Sequence, residues 1–167
     1  CGDAHEGAEV VSQNVVLHAE ESLFDCQMDG MHFAVRLPFA GRHYVDNALL
    51  VTAIACAIDI SVEDIQNGLG SAVSLSSSRM EMHPLSEGRL LINDCYNANP
   101  DSMKATLDVL AGYKPRPTFA CLGNMYELGP YEKTGHAEVG AHLAKCGIDC
   151  LICLGVLAEG IGESAIA

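Results

Sequence analysis

The sequence has no tryptophan and an aromatic content of only 5%, so any core it builds must rest on aliphatic side chains. It is also poor in positive charge: 9 Lys and Arg stand against 22 Asp and Glu, a net charge of −13. A surface of that sign repels phosphate backbones, which argues against a nucleic-acid binder but leaves room for a single nucleotide in a local pocket. No run approaches the roughly 20 consecutive apolar residues of a membrane-spanning helix. No Gly-Lys-Ser/Thr triplet occurs, so these residues hold no Walker-type phosphate loop. What is present is 167 residues that are 49% hydrophobic and 19% charged, a balance that fits a folded globular chain. Residue 1 is Cys, with no Met before it and no leader-like character after it, and the chain reads as a piece of something longer.

The 8 cysteines invite a disulfide reading, but their neighbours argue against it. Cys56, Cys121, Cys150 and Cys153 lie in apolar, core-like runs, where a reduced thiol behaves as a small hydrophobe. A reducing cytoplasm is the expected compartment. His142, Cys146, Cys150 and Cys153 are residue types that bind zinc, and His142 and Cys146 share a helix face. Cys150 and Cys153 are three apart in an expected strand and point to opposite faces, so the expectation is buried thiols and no metal ligands.

The first half reads as strands followed by helices. A short apolar run at 14–18 precedes an Asp29-Gly30 hairpin signal, after which Phe33, Val35 and Leu37 fall on one face. Residues 44–58 carry Val45, Ala48, Leu49, Thr52, Ala53 and Cys56 at helical spacing. A second helix is expected from Ser61, with Asp64 completing an imperfect capping box, to Gly68 or Gly70. The small, polar segment 71–78 is the expected domain boundary and a hinge candidate.

Beyond Arg79 strand and helix alternate. Expected in order are a buried strand at 90–92, a helix capped by Asn99 with Pro100 first, a strand at 118–122, a helix at 136–146, a strand at 148–154 and the start of another helix. Such alternation implies an α/β fold with a parallel, Rossmann-like sheet. Gly160-Ile161-Gly162-Glu163-Ser164-Ala165 matches G-x-G-x-x-A formally, but it does not directly follow a strand and is read as chance.

Two segments place polar residues where packing does not require them. In Gly41-Arg42-His43-Tyr44-Val45-Asp46-Asn47, His43 and Asn47 share one face at a helix start, able either to meet a base edge or simply to brace the helix. In the segment 93–101, Asp94, Tyr96, Asn97, Asn99 and Asp101 gather between a strand and a helix, the strand end where ligands collect in open α/β sheets.

These segments, with Arg79-x-Glu81, Leu122-Gly-Asn-Met-x-Glu-Leu-Gly129 and His136-x-x-Val-Gly140, occur in an order that resembles the Mur ligase family. The Tyr-Asn-Ala-Asn-Pro form is most similar to the branch that joins D-alanyl-D-alanine to UDP-N-acetylmuramoyl-tripeptide. The resemblance implies that residues 1–77 are the C-terminal part of a central ATPase domain. It implies that 78–167 are an incomplete Rossmann-like C-terminal domain. It implies an ATP-dependent ligase of peptidoglycan precursor synthesis, serving cell-wall biogenesis, cell shape and division. The substrate carboxylate is activated as an acyl phosphate and then attacked by the incoming amine. ATP, Mg2+, the UDP-sugar tripeptide and D-alanyl-D-alanine are the implied ligands, with the phosphate loop and magnesium ligands expected upstream. No catalytic residue is assigned within the chain, and this piece alone is expected to be inactive.

By the same resemblance, Asn47 contacts adenine, His43 shapes that wall, Arg79 reaches the ribose–phosphate region and Asp94 accepts from the ribose hydroxyls. Tyr96, Asn97 and Asn99 line the face where the dipeptide sits. Tyr44 replaces the family's usual Asn, Ser76-Ser77-Ser78 replaces a Pro- and Gly-bearing segment, and Asn93 and Asn124 stand where Asp is common. A non-catalytic nucleotide-binding or regulatory module of the same fold, or a related amino-acid ligase with another substrate, is the alternative. Unpaired strand edges further imply that the chain self-associates.

Overall fold

The computed structural model describes residues 9–28, 30–73 and 78–167. The chain divides into two compact units, Cys1–Val73 and Ser74–Ala167. The hairpin residue Asp29 and the middle of the expected hinge, including Ser76 and Ser77, lie outside the described residues.

The first unit is an antiparallel sheet in the order β1 (Val10–Leu17), β2 (Ser22–Met28), β3 (Met31–Leu37), followed by α1 (Arg42–Ala57) and α2 (Val62–Gly70). β1 begins earlier than its apolar run suggests, and its register with β2 shifts between Gln13 and Val16. Asn14 sits at that irregularity with φ 51°, a conformation Asn tolerates better than most residues. Strict alternation in β2 and β3 buries Phe24, Cys26, Met28, Phe33, Val35 and Leu37, in one core with Val45, Ala48 and Leu49 of α1 and Ile65 and Leu69 of α2. Ser61 caps α2 as expected, its Oγ accepting from the Asp64 N–H at 3.1 Å and donating to the Asp64 carboxylate at 2.6 Å. The opposite side of α1 is apolar too, leaving Leu50, Val51, Ile54 and the adjoining Ile58 exposed.

The second unit is mixed α/β. β4 (Glu81–Pro84) and β5 (Leu90–Asn93) pair antiparallel across a tight Ser86–Gly88 turn. Then come α3 (Pro100–Ala111), β6 (Phe119–Gly123), α4 (Glu132–Cys146), β7 (Cys150–Leu154) and α5 (Glu159–Ala165). β6 and β7 run parallel, with α4 as the crossover helix of a βαβ unit. The strand expected at 90–92 is therefore present, but its pairing is with β4 and Leu91 is half exposed rather than buried. α4 starts at Glu132, four residues before the expected His136, because the Gly129–Tyr131 turn runs directly into it.

The helices cover one face of the β6–β7 pair, where Ala120, Leu122, Leu151 and Cys153 meet Leu107, Val139, Leu143 and Ile161. Phe119, Ile152 and Leu154 stay exposed on the other face. The expectation of buried thiols is corrected: Cys121 lies exposed on the open face, Cys56, Cys150 and Cys153 are half-buried, and all seven described cysteines are free. The formal G-x-G-x-x-A segment lies inside α5 and forms no phosphate loop. Its glycines serve packing, Gly160 against His136 and Gly162 against the Cys153 sulfur.

α4 and α5 approach so closely that a Cβ on Gly140 would stand 2.1 Å from the Ile161 carbonyl oxygen. Gly140→Ala should therefore destabilise the second unit by about 2–3 kcal/mol or more, since backbone cannot yield cheaply. Gly68→Ala, a helical site with open space, should stabilise by about 0.5–1 kcal/mol. Denaturant midpoints of the two variants check both signs.

At the start of β6 and β7, the Asp149 carboxylate accepts from the Thr118 N–H and hydroxyl, each at 2.8 Å. These bonds, backbone first, hold its pKa below the ordinary 3.8, helped by Lys114. A depressed acid stabilises the fold above its unfolded pKa, and that contribution vanishes as pH falls through the folded value. Acid titration of stability should show a steeper loss below about pH 4 in the parent chain than in Asp149→Ala.

Candidate functional site

The segment leaving β5 is held by Asp94. Its Oδ1 accepts the Met80 N–H at 3.0 Å and its Oδ2 accepts the Thr106 hydroxyl at 2.5 Å, tying the start of β4 to α3. Ser78 and Met80 both have positive φ, 59° and 48°, so Arg79 is displayed between two left-handed residues. Such conformations persist where surrounding bonds over-determine them, and the Asp94–Met80 bond does so here. Asp94 thus works first as a positioning residue. A carboxylate has about four acceptor sites, so lone pairs remain beyond these two bonds.

Arg79 stacks on Tyr96, its guanidinium carbon 4.3 Å from the ring centroid. The Tyr96 N–H donates to the Ser78 carbonyl at 2.9 Å, while the ring remains 62% exposed. Asn97 Oδ1 accepts the Ala98 N–H at 2.9 Å, which orients the side chain and leaves its amide NH2 as the donor on offer. Asn99 is spent on α3. Its side chain accepts the Ser102 N–H at 2.9 Å, and the Ser102 hydroxyl accepts the Asn99 N–H at 3.1 Å, a reciprocal capping box. Of the three residues expected to face a dipeptide, Tyr96 and Asn97 are presented and Asn99 braces them.

Both Asn residues that stand where Asp is common have local hydrogen-bond partners. Asn93 lies opposite Glu81 in the β4–β5 register and donates to the Glu81 carboxylate at 3.2 Å. The Ser78 backbone N–H, with lesser help from His83 and Asn93, holds the Glu81 carboxyl below its usual range. An Asp at position 93 would set like charges face to face. Asn124 Oδ1 accepts the Ala158 N–H at 3.0 Å at the start of α5, and its Nδ2 bonds the Tyr126 hydroxyl at 2.9 Å.

His43 and Asn47 lie together on the first turns of α1, in the first unit. Arg42 braces that helix start, bonding Ser12 Oγ at 3.1 Å and Asp46 at 3.3 Å. The ring of His43 packs on Tyr44 at 4.3 Å, and Tyr44 stacks on Phe39 at 4.7 Å, which accounts for the aromatic at position 44. Asn47 is exposed one turn further on. Arg79, Asp94, Tyr96, Asn97 and Asn99 are gathered in the second unit.

His136 falls in a family-like segment and is given no role by the sequence reading. It is buried, its Nε2 accepts the Met125 N–H at 3.0 Å, and its Nδ1 lies 2.7 Å from the Glu132 carbonyl. An acceptor Nε2 and a donor Nδ1 define the neutral Nδ1–H form. Its i−4 partner in the same helix was a legible signal; Met125 was not. A surface groove of about 610 Å³, lined by residues including His136, Glu132, Glu159 and Glu163, contains none of the residues expected from the sequence to contact nucleotide or dipeptide.

The described residues offer no oxygen cage suited to Mg2+. The metal-type group they do form, Asp108, His142 and Cys146, presents one oxygen, one nitrogen and one sulfur. Cys150 and Cys153, on opposite faces of β7, take no part. Burial and the Asp108 carboxylate push the Cys146 thiol up to about 11, the direction opposite to that of an activated nucleophile.

A family profile described as Mur ligase, glutamate ligase domain, matches residues 78–167. Over 148 residues the chain is 35% identical to the UDP-N-acetylmuramoyl-tripeptide–D-alanyl-D-alanine ligase of Bacillus subtilis, covering 83% of this chain and 32% of that protein. It superposes on a crystal structure of MurF from Acinetobacter baumannii with a TM-score of 0.88 at 32% identity, over 96% of this chain and 35% of that one. The MurF ligase from Thermotoga maritima in complex with ADP shares the fold, with a TM-score of 0.78 at 23% identity over 93% of this chain and 36% of that one. The chain spans about a third of the length of the curated relatives it matches.

Asp94→Ala should cost about 1–3 kcal/mol of second-unit stability, because it strands the Met80 N–H and leaves the Thr106 hydroxyl only its bond to the Ser102 carbonyl at 3.1 Å. Thr106→Val, which removes one bond, should cost about 1 kcal/mol. Denaturant unfolding of the variants measures both, and an Asp94→Ala chain as stable as its parent would contradict the bracing role.

Proposed function

The chain belongs to the Mur ligase family, and from that premise we propose that it is part of an ATP-dependent ligase adding D-alanyl-D-alanine to UDP-N-acetylmuramoyl-tripeptide. Residues 1–77 correspond in this reading to the end of the central ATPase domain and 78–167 to the front of the C-terminal domain. The observation that carries it is the Asp94–Asn99 loop, braced by Asp94 and the Asn99 cap, with Tyr96, Asn97 and Arg79 displayed.

In the reaction, a carboxylate oxygen of the tripeptide attacks the γ-phosphorus of ATP and ADP departs. The dipeptide amine then attacks the acyl carbon, and phosphate leaves with the C–O bonding pair. Phosphorylation matters because carboxylate oxygen is otherwise a poor leaving group. This chain's part is binding and orientation. His43 and Asn47 form the adenine wall, with Asn47 supplying both donor and acceptor. Arg79 offers positive charge to the ribose–phosphate region, and the remaining Asp94 lone pairs accept from ribose hydroxyls. Tyr96 and Asn97 hold the dipeptide. The described residues do not fit Mg2+.

A cytoplasmic setting follows from those soluble precursors, and no described helix is long and apolar enough to cross a membrane. The exposed apolar side of α1 and the open face of β6–β7 favour self-association of the 167-residue chain. Lacking a phosphate loop, that chain alone should release no phosphate from ATP. The alternative of a non-catalytic module draws on Asn93 and Asn124, each of which has local hydrogen-bond partners.

The test is steady-state kinetics in the full-length protein containing this chain. Tyr96→Ala and Asn97→Ala should raise KM for D-alanyl-D-alanine about tenfold or more while leaving KM for ATP within about twofold. Equal effects on both substrates, or on neither, would overturn the assignment.

A further inference from the structure

We propose that Asp108, His142 and Cys146 form a binding site for one Zn2+ ion that clamps α3 to α4. His142 and Cys146 are four residues apart on α4 and project from the same face, and Asp108 comes from the facing side of α3. The Asp108 Oδ1 lies 2.6 Å from His142 Nε2 and 3.5 Å from Cys146 Sγ, and all three donor atoms fall within 4.8 Å of one another. Zinc bonds of roughly 2.0–2.3 Å in tetrahedral array separate neighbouring donors by roughly 3.3–3.7 Å. Cys146 and Asp108 already stand at that spacing. The His142–Asp108 pair reaches it by opening less than roughly 1 Å, a change within rotamer adjustment of two surface side chains.

The donor chemistry selects the ion. Imidazole and thiolate suit Zn2+ and disfavour Mg2+ and Ca2+, which seek oxygen cages. Three protein donors leave a fourth position for water, and Asp108 is exposed, so an ion has a path in. The chain's net charge of −13 adds long-range attraction for a cation. The site is separate from the candidate ligand loop, since Asp108 lies roughly 13 Å along α3 from the Asn99 cap. Bound zinc would act there as a brace on the helix whose first turn holds that loop.

The test titrates Co2+, as a spectroscopic substitute, into the reduced 167-residue chain and then displaces it with Zn2+. One equivalent should bind with a thiolate-to-Co2+ charge-transfer band and tetrahedral d–d bands. Excess Mg2+ should leave those bands unchanged. Cys146→Ser should abolish the charge-transfer band, His142→Gln and Asp108→Asn should each weaken binding about tenfold or more, and Cys150→Ser should retain both band and affinity. Zn2+ should raise the Tm of the parent chain and not that of Cys146→Ser. Circular dichroism checks folding, and if Cys146→Ser does not fold, the exposed Asp108→Asn substitution carries the comparison. A band that persists in folded Cys146→Ser, an affinity unmoved by Asp108→Asn, or no band and no thermal shift in the parent chain would overturn the site.

Discussion

The candidate loop depends on the Asp94 carboxylate. It sits at the exit of β5 and reaches in two directions, to the Met80 N–H and to the Thr106 hydroxyl. One side chain thereby holds a left-handed backbone residue beside Arg79 and fastens β4 to α3. Everything the loop displays follows from that anchor and from the Asn99 cap. Arg79 can lie over Tyr96 because both flanks are held, and Asn97 can offer its amide because its carbonyl is turned onto the Ala98 N–H. The loop separates bracing residues from displayed ones, an arrangement suited to binding without reorganisation.

The rest of the second unit supplies the frame. α4 crosses between parallel β6 and β7, and Gly140 lets α5 settle against it at a distance no side chain would permit. His136 fastens α4 to the stretch after β6 through Met125, and Asn124 caps the entry to α5. The family-like segments around residues 122–129 and 136–140 thus have structural reasons in this chain. Asn124 and His136 spend their polar atoms on backbone or neighbouring groups, so neither needs a ligand to explain it.

What was legible in the sequence was local. The α1 stripe from Val45 to Cys56, the alternation of β3, the Ser61 cap and the Asn99–Pro100 helix start all depend on neighbours a few residues away. What was not legible depended on distant partners. The antiparallel pairing of β5 is decided by β4, and the exposure of Cys121 by the open face of its sheet. The His142–Cys146 pair could be read from its spacing, but its third member, Asp108, is 34 residues from His142 on another helix. In the site itself, Tyr96 and Asn97 stood out as polar residues beyond the needs of packing. The bracing role of Asp94 required knowing where Met80 and Thr106 lie.

The loop between β5 and α3, with Arg79, is the proposed ligand-facing surface of the second unit. Amide and side-chain shifts of the isotope-labelled chain, followed by NMR while D-alanyl-D-alanine and then ADP are added, test it most directly. The account predicts perturbations concentrated at Tyr96 and Asn97 with the dipeptide and at Arg79 and Asp94 with the nucleotide. Perturbations confined to the α4–α5 groove around Glu132, Glu159 and Glu163, or none at saturating ligand, would contradict it.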